Sequence, residues 1–394
     1  MAMAALTAAA GHPDAGAIAR AARYRVELFD DWKVAASRWN EARATAPFQD
    51  FRWLGVWYGA FTEADAVIAI ITDARTLEQV ALLPLVRRTR RGVRIVEFAD
   101  LDLTDYNAPL LGPAAPRDAS AAQAMWRDLL VALTRMPGGA DLIRLRKLPR
   151  DLDGRPNPLA LLEGTGRSAV NGNLVTTGDN FDAWRHSLGR NARKGFLKSW
   201  RVFSRDPEAQ FRIITDPAEA SCVMAAMEVQ QGARMQALGL SYSLNDQAYA
   251  AFYRDLVAVN LRSGYAVLTA LTVGEEVVAT LLGIRNGARY VMVRFSNAGE
   301  KWASCSPGLL VIERTMAALH ADGVRSFDFG TGNYAYKRKF GVTQLPLLNI
   351  TRALSWRGKP LALRDRIVRE LRRFPRFAAR ISRALGTRSM REEF

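Results

Sequence analysis

Residues 266–273, 276–284 and 289–295 are three apolar segments separated by nothing longer than a turn. Gly274-Glu275 joins the first pair and Arg285-Asn286-Gly287 the second. Asn-Gly accepts the positive φ that a type I′ turn needs at both central positions, so it signals a hairpin. Three successive antiparallel strands are expected. The next residues narrow the topology further. Pro307 after Ser306 marks a helix start, because proline has a helix-ready φ and its missing N–H is not needed in the first turn. Leu309, Leu310, Ile312, Met316 and Leu319 recur at helical spacing and predict one buried face. Gly323 can take the positive φ that ends a helix. Residues 324–329 read as a short strand, and Gly330 and Gly332 open a polar loop. Backbone N–H groups left free at such a helix start can hold a phosphate.

Upstream, the same kinds of element recur. Residues 24–28 predict a strand and 31–44 a helix. Pro47 precedes a second helix with the aromatic face Phe51, Leu54, Trp57 and Tyr58, which reads as core. Strands are expected at 67–71, 80–86 and 92–98, with a basic turn over 87–92. Asp100, Asp102, Asp105 and Tyr106 then form an acidic loop, structural or substrate-facing. A helix at 119–135 and a strand at 141–148 complete an α/β unit. Residues 149–166, rich in Pro, Gly and Asp, look like a connection. The second half opens with a long helix over 181–204. Arg190, Lys194, Lys198, Arg201 and Arg205 line one face of it, either as a solvated surface or as a stripe facing phosphate or substrate. Helices at 217–238 and 248–263 lead into the three-strand segment.

The order Ser306-Pro307-Gly308, Gly323, Phe327-Asp328-Phe329 and Tyr336-Lys337 resembles the bacterial acetyltransferases of the CelD/BcsL type from cellulose biosynthesis, within the GNAT superfamily. Asp328-Phe329-Gly330 followed by Lys337 and Phe340-Gly341 is similar to the FemABX peptidyl transferases, which are built from two GNAT-like halves. The likeness extends to residues 48–57, Leu82-Leu83-Pro84-Leu85 and Thr104-Asp105-Tyr106. It implies an α/β fold of two tandem GNAT-like halves with mixed central sheets. The expected divisions are a disordered leader (1–22), an N-terminal half (23–165), a C-terminal acetyltransferase domain (166–355) and a basic amphipathic tail (356–394).

The resemblance implies acetyl-CoA or another acyl-CoA as co-substrate, with its pyrophosphate at Ser306, Gly308, Leu309 and Leu310. The glycine-rich loop of better-known GNAT enzymes is missing, which keeps another donor open. Acyl transfer to an amine needs a neutral nucleophile, a stabilised oxyanion and a protonated leaving thiolate. Asp328 is the expected carboxylate for the acceptor, and Tyr336 or Tyr334 the acid for the thiolate; each also fits a structural role. Lys337 matches the FemABX lysine assigned to the acyl or substrate carbonyl. Arg190, Lys194, Asp105 and Tyr106 are the expected substrate contacts. The implied acceptor is a sugar or lipid intermediate of envelope or exopolysaccharide synthesis. The alternatives are aminoacyl-tRNA-dependent transfer and a catalytically degenerate adaptor.

Composition sets outer bounds. Cys222 and Cys305 give no disulfide framework, and His12, His186 and His320 show no ligand spacing, so no metal is expected. No apolar run reaches the length of a membrane span. The net charge of +16 favours an anionic partner, and residues 352–394 hold 13 Lys and Arg against 4 Asp and Glu. That tail fits either contact with an anionic membrane or docking on its own domain. The expected location is cytoplasmic, with peripheral contact at the inner membrane.

Overall fold

A computed structural model describes residues 22–39 and 46–371. The leader up to residue 21 and the tail beyond residue 371 lie outside the described residues.

The first half runs β1 (Tyr24–Phe29), α1 (Trp32–Arg38), α2 (Phe51–Ala60), β2 (Asp65–Ala66), β3 (Ile68–Asp73), β4 (Gln79–Leu83), β5 (Leu85–Arg90), β6 (Val93–Phe98), β7 (Leu110–Leu111), α3 (Ala119–Arg135) and β8 (Leu142–Pro149). A short hairpin, β9 (Asp151–Leu152) with β10 (Arg155–Pro156), leads to β11 (Gly166–Thr176). Then come α4 (Phe181–Ser187), α5 (Arg190–Phe203), β12 (Ala209–Ile214), α6 (Pro217–Ala237), α7 (Gln247–Asn260), β13 (Ala266–Val273), β14 (Glu276–Asn286) and β15 (Arg289–Asn297). The chain continues through α8 (Pro307–Ala321), β16 (Ser326–Asp328), β17 (Thr343–Ala353) and α9 (Lys359–Leu371).

Among the described residues an eleven-stranded sheet has the order β12-β13-β14-β15-β16-β11-β17-β8-β6-β5-β2, and β1-β3-β4-β7 form a smaller one. Both halves use one plan: a strand, two helices, antiparallel strands, a helix, then a strand returning parallel to the last. β6 pairs in parallel with β8 across α3, and β15 with β16 across α8. β11 and β17, both from the second half, bridge β16 to β8 and make the large sheet continuous.

Among the described residues the elements enclose three large cores and one small cluster of Ala46, Ala108, Leu111, Ala115 and Leu152. The helix pairs α1–α2 and α6–α7 meet in a shared core that spans both halves. Its contacts are aromatic: Trp53 meets Phe252 edge-on at 5.0 Å, and Phe61 meets Tyr249 at 5.1 Å. Such pairs contribute about 0.5–1.5 kcal/mol each beyond their buried area. α3 closes a second core on the first half, and α4, α5 and α8 close a third on the second half.

The structure departs from the sequence reading where the chain breaks or extends its elements. The expected strand 80–86 divides at Pro84, so β4 joins the small sheet and β5 the large one. Proline cannot donate to a sheet ladder, and its carbonyl instead accepts from Ala99 N. β5 also continues through the expected basic turn, leaving only Arg91 and Gly92 to reverse the chain, both at positive φ. The expected helix 181–204 is two, because Leu188 is extended and Gly189 precedes the second. The expected helix 31–44 ends at Arg38, and residues 40–45 lie outside the described residues.

Candidate active site

β15 and β16 stay paired for three residue pairs: Arg289 with Ser326, Tyr290 with Phe327 and Val291 with Asp328. β16 then stops, whereas β15 runs on to Asn297 alongside β14. The parallel strands therefore part, opening a gap at the C-terminal end of β16. α8 starts at the far side of that gap. A Cβ added to Gly308 would lie 3.3 Å from Asn297 Nδ2 and 3.6 Å from the Phe295 ring. The Tyr336 ring sits 5.6 Å from Phe295 and stacks on Tyr334, so it borders the same stretch of β15.

Asp328 is wholly buried at the point where the strands part. Its carboxylate accepts from Tyr106 Oη at 2.6 Å, from Gly330 N at 2.9 Å and from Arg289 Nη2 in a charged bond. Tyr106 comes from the first half, so this carboxylate ties the two halves together. Both oxygens are engaged, which leaves the expected acceptor-facing carboxylate facing protein groups instead.

The glycine loop after β16 is held from three sides. Asp105 accepts from Thr331 N at 2.8 Å and from the Thr331 hydroxyl. Asn173 Nδ2 donates to the Gly330 and Gly332 carbonyls, each at 2.8 Å. Lys337 Nζ donates to Thr331 O at 2.7 Å and reaches Gly330 O at 3.4 Å. Gly330 has φ +67°, and a Cβ there would collide with the Asp105 carboxylate. Only glycine fits that approach.

Burial sets the electrostatics. Lys337 is 2% exposed as a residue, and desolvation pushes its pKa down to about 8, although Asp105 and Asp328 pull the other way. Desolvation raises Asp105, only partly offset by its bonds to Thr331. It holds the Tyr106 phenol well above its usual value, with Asp328 adding to the effect. It raises Tyr336 too, reinforced by Tyr334 and Asp105, so that phenol keeps its proton at neutral pH.

The structure thus brings Asp105, Tyr106, Asp328 and Lys337 together, with Tyr336 beside the gap. Arg190 and Lys194 are exposed on α5, apart from this cluster. At the helix start, Leu309 N and Leu310 N donate to Ser306 O, and Ser306 N to Ala303 O. Pro307 has no N–H. Of the four expected pyrophosphate residues, Gly308 is the one whose backbone N–H is not taken by another backbone group among the described residues. Cys305 is buried, with its Sγ against Trp302 O at 3.1 Å, and burial pushes the thiol up. That environment disfavours a nucleophilic thiolate.

Several contributors were not foreseen. Arg289 holds Asp328, and Asn173 holds the loop. On the α6–α7 side of β15, Arg294 donates to Gln231 Oε1 at 2.6 Å and to Tyr242 Oη at 3.2 Å, under the Tyr253 ring. A charged residue inside an otherwise apolar strand was the available signal for Arg294.

Residues 190–338 match the family model described as the Acetyltransferase (GNAT) domain. Over the wider chain, the crystal structure of FemX superposes with a TM-score of 0.55 at 11% identity, covering 81% of this chain and 94% of that one. A conserved protein of unknown function from Bacteroides thetaiotaomicron superposes with a TM-score of 0.53 at 12% identity, covering 84% and 100%. The fold is GNAT-like. At these identities the likeness to solved structures concerns the fold alone. No curated protein matches. In the GNAT-like second half, the matched segment runs from α5 through the parted strands to Lys337, the region that carries most of the site.

Proposed function

We propose that this protein transfers an acetyl or other acyl group from a coenzyme A thioester to an amine or hydroxyl acceptor. The parting of β15 and β16 beyond Val291 and Asp328 carries the reading. It offers unpaired strand edge to an amide-containing thioester arm, with the start of α8 beside it. In the transfer, the acceptor nitrogen or oxygen bonds to the thioester carbonyl carbon and the C–S bond breaks; the acceptor's proton passes to solvent, the thiolate takes up a proton from the protein, and solvent restores that donor. Tyr336, kept protonated by burial, is the proposed donor of that proton. An ammonium has three N–H donors. Two of those on Lys337 serve the loop carbonyls, and the third is proposed to stabilise the oxyanion. Asp328 is assigned to positioning, because its oxygens are already bonded. Asp105 and Tyr106 hold the acceptor side in shape.

The finer reading follows the CelD/BcsL resemblance: an acceptor drawn from sugar or lipid intermediates of envelope polysaccharide synthesis, and a cytoplasmic enzyme working at the inner membrane. Residues 23–165 and 166–355 are the proposed halves. No helix among the described residues is long and apolar enough to cross a membrane. The test is thiol release from acetyl-CoA and longer acyl-CoAs against a panel of amino sugars, lipid-linked sugars and amines. Acceptor-dependent release supports the reading; none from any pair counts against it.

A second reading, transfer from aminoacyl-tRNA, is favoured by one observation. Pro307 and the bonds to Ser306 O leave the α8 start with few free donors for a pyrophosphate. Retention of labelled aminoacyl-tRNA, with no response to acyl-CoA, would select it.

A further inference from the structure

A groove of about 1250 Å³ lies where α9 packs beside the first half's α3, away from the parted strands, with β17 as its floor. Its walls repeat one pattern. On α3, Arg127, Val131 and Arg135 recur at four-residue steps and share one face. On α9, Lys359 and Leu363 do the same, with Arg366 beside them. Arg352 and Arg369 add charge at the floor and far end. Among the described residues Glu163 and Glu370 are the acidic lining residues, and the cations outnumber them.

Trp126 and Ile350 form a buried apolar base to the groove, whereas Val131 is 43% and Leu363 57% exposed. Outside the groove lining, Ile367, one turn beyond Leu363 on α9, is 49% exposed, and Trp356, on the turn leading into α9, is 74% exposed. Single exposed apolar side chains are ordinary on any surface. Open apolar side chains set among cations on neighbouring helices are different, because the combination matches both layers of an anionic bilayer surface: phosphates for the cations and acyl chains for the apolar tips. A groove rather than a flat patch can also seat one headgroup.

We propose that the α3–α9 groove docks the protein on anionic phospholipid bilayers, with Arg127, Arg135, Lys359 and Arg366 on headgroup phosphates and Leu363, Ile367 and Trp356 entering the interface. This goes beyond the transferase reading, and its test needs no turnover.

The experiment is flotation of the full chain with phosphatidylcholine vesicles, with and without about one third phosphatidylglycerol. The proposal expects binding to the anionic vesicles only, fading as salt rises. A near-surface cation contributes about 1 kcal/mol, so each charge removed should weaken binding roughly fivefold. Arg127→Gln with Arg135→Gln should therefore weaken it roughly 25-fold, and Leu363→Ser with Ile367→Ser should lower it independently. All four sites are exposed, and unchanged melting temperatures would show that the fold is intact. Wild-type binding by both double variants would overturn the proposal by placing the contact elsewhere, the tail beyond residue 371 included. So would equal binding to neutral vesicles. Loss of self-association in the apolar variant without change in vesicle binding would overturn it too, and would assign the groove to a second copy of the chain.

Discussion

Replacing Asp328 with alanine removes three bonds at once from the place where the halves meet. Tyr106 Oη, only 2% exposed, would lose its acceptor, as would Gly330 N. Arg289 would be left as a largely enclosed cation without its carboxylate. Breaking a buried ion pair by deleting one partner costs about 3–5 kcal/mol, and each orphaned neutral donor adds about 1–3 kcal/mol before relaxation. Water reaching Arg289, whose side chain is 28% exposed, relieves part of this. We expect a loss of about 4 kcal/mol, which at about 1.2 °C per kcal/mol for a chain of 394 residues lowers the melting temperature by roughly 5 °C. Asp328→Asn keeps the shape and an acceptor oxygen, and should fall about halfway. The assay is thermal unfolding beside acyl-transfer rate, with Tyr106→Phe and the double variant closing a cycle. Positioning predicts that stability and rate fall together and that Tyr106 and Asp328 are non-additive. A rate loss of a hundredfold or more in Asp328→Asn at unchanged melting temperature would refute the positioning role and make Asp328 a base.

Lys337→Met should cut the transfer rate about 10²–10³-fold, the usual effect of deleting an oxyanion donor, with acyl-CoA affinity within a few-fold of wild type. Because the Lys337 pKa lies near 8, the wild-type rate should fall as pH rises through that value and the ammonium is lost; a rate that climbs there would make Lys337 a base. Folding works the other way: the unfolded lysine binds its proton more tightly than the folded one, so this group's contribution to stability rises between about pH 8 and 10.5. Gly308→Val pushes a branched side chain against Asn297 and Phe295 and should raise KM for acyl-CoA at least tenfold with a smaller change in kcat, read from steady-state kinetics. Asp141 is held well below the usual carboxylate range by Arg94 first, and also by Ser355, so its stabilisation is present at neutral pH and lost as acid titrates it below about pH 4; Asp141→Asn should flatten that acid limb of the melting curve.

Local chemistry made much of the fold legible. Asn286-Gly287 placed the β14–β15 hairpin, although the turn is not the expected type I′: Asn286 stays in β14 opposite Arg289, and of the turn residues Gly287 and Ala288 only Gly287 has positive φ. Pro307 with Gly323 bracketed α8 closely. The breaks were harder. Pro84 sits inside an apolar run that reads as one strand, and only the pairing of β4 and β5 with different sheets reveals the switch. Gly189 divides the expected helix 181–204, but Trp184, Leu188, Ala192 and Phe196 keep helical spacing across it and read as one helix. The site was legible as residue types and hidden as geometry. Asp328 and Tyr106 were each conspicuous, yet 222 positions separate them, and nothing in the sequence shows that one is the other's partner. Arg289 comes just after a hairpin turn, where an arginine reads as ordinary surface charge; its role appears only when β15 lies beside β16. Lys337 was found by its resemblance, whereas its burial under the glycine loop depends on packing from both halves.

The most direct test of the central claim is a titration of the full chain with acetyl-CoA and longer acyl-CoAs, read by thermal unfolding of wild type and Gly308→Val. A ligand that binds only the folded protein stabilises it by about 2.7 kcal/mol at a hundred times its dissociation constant. A thioester seated between β15 and β16 predicts a saturable rise in melting temperature of roughly 3 °C for wild type, and a curve displaced to higher concentration for Gly308→Val. No rise at millimolar acyl-CoA, or identical curves for the two proteins, would contradict it.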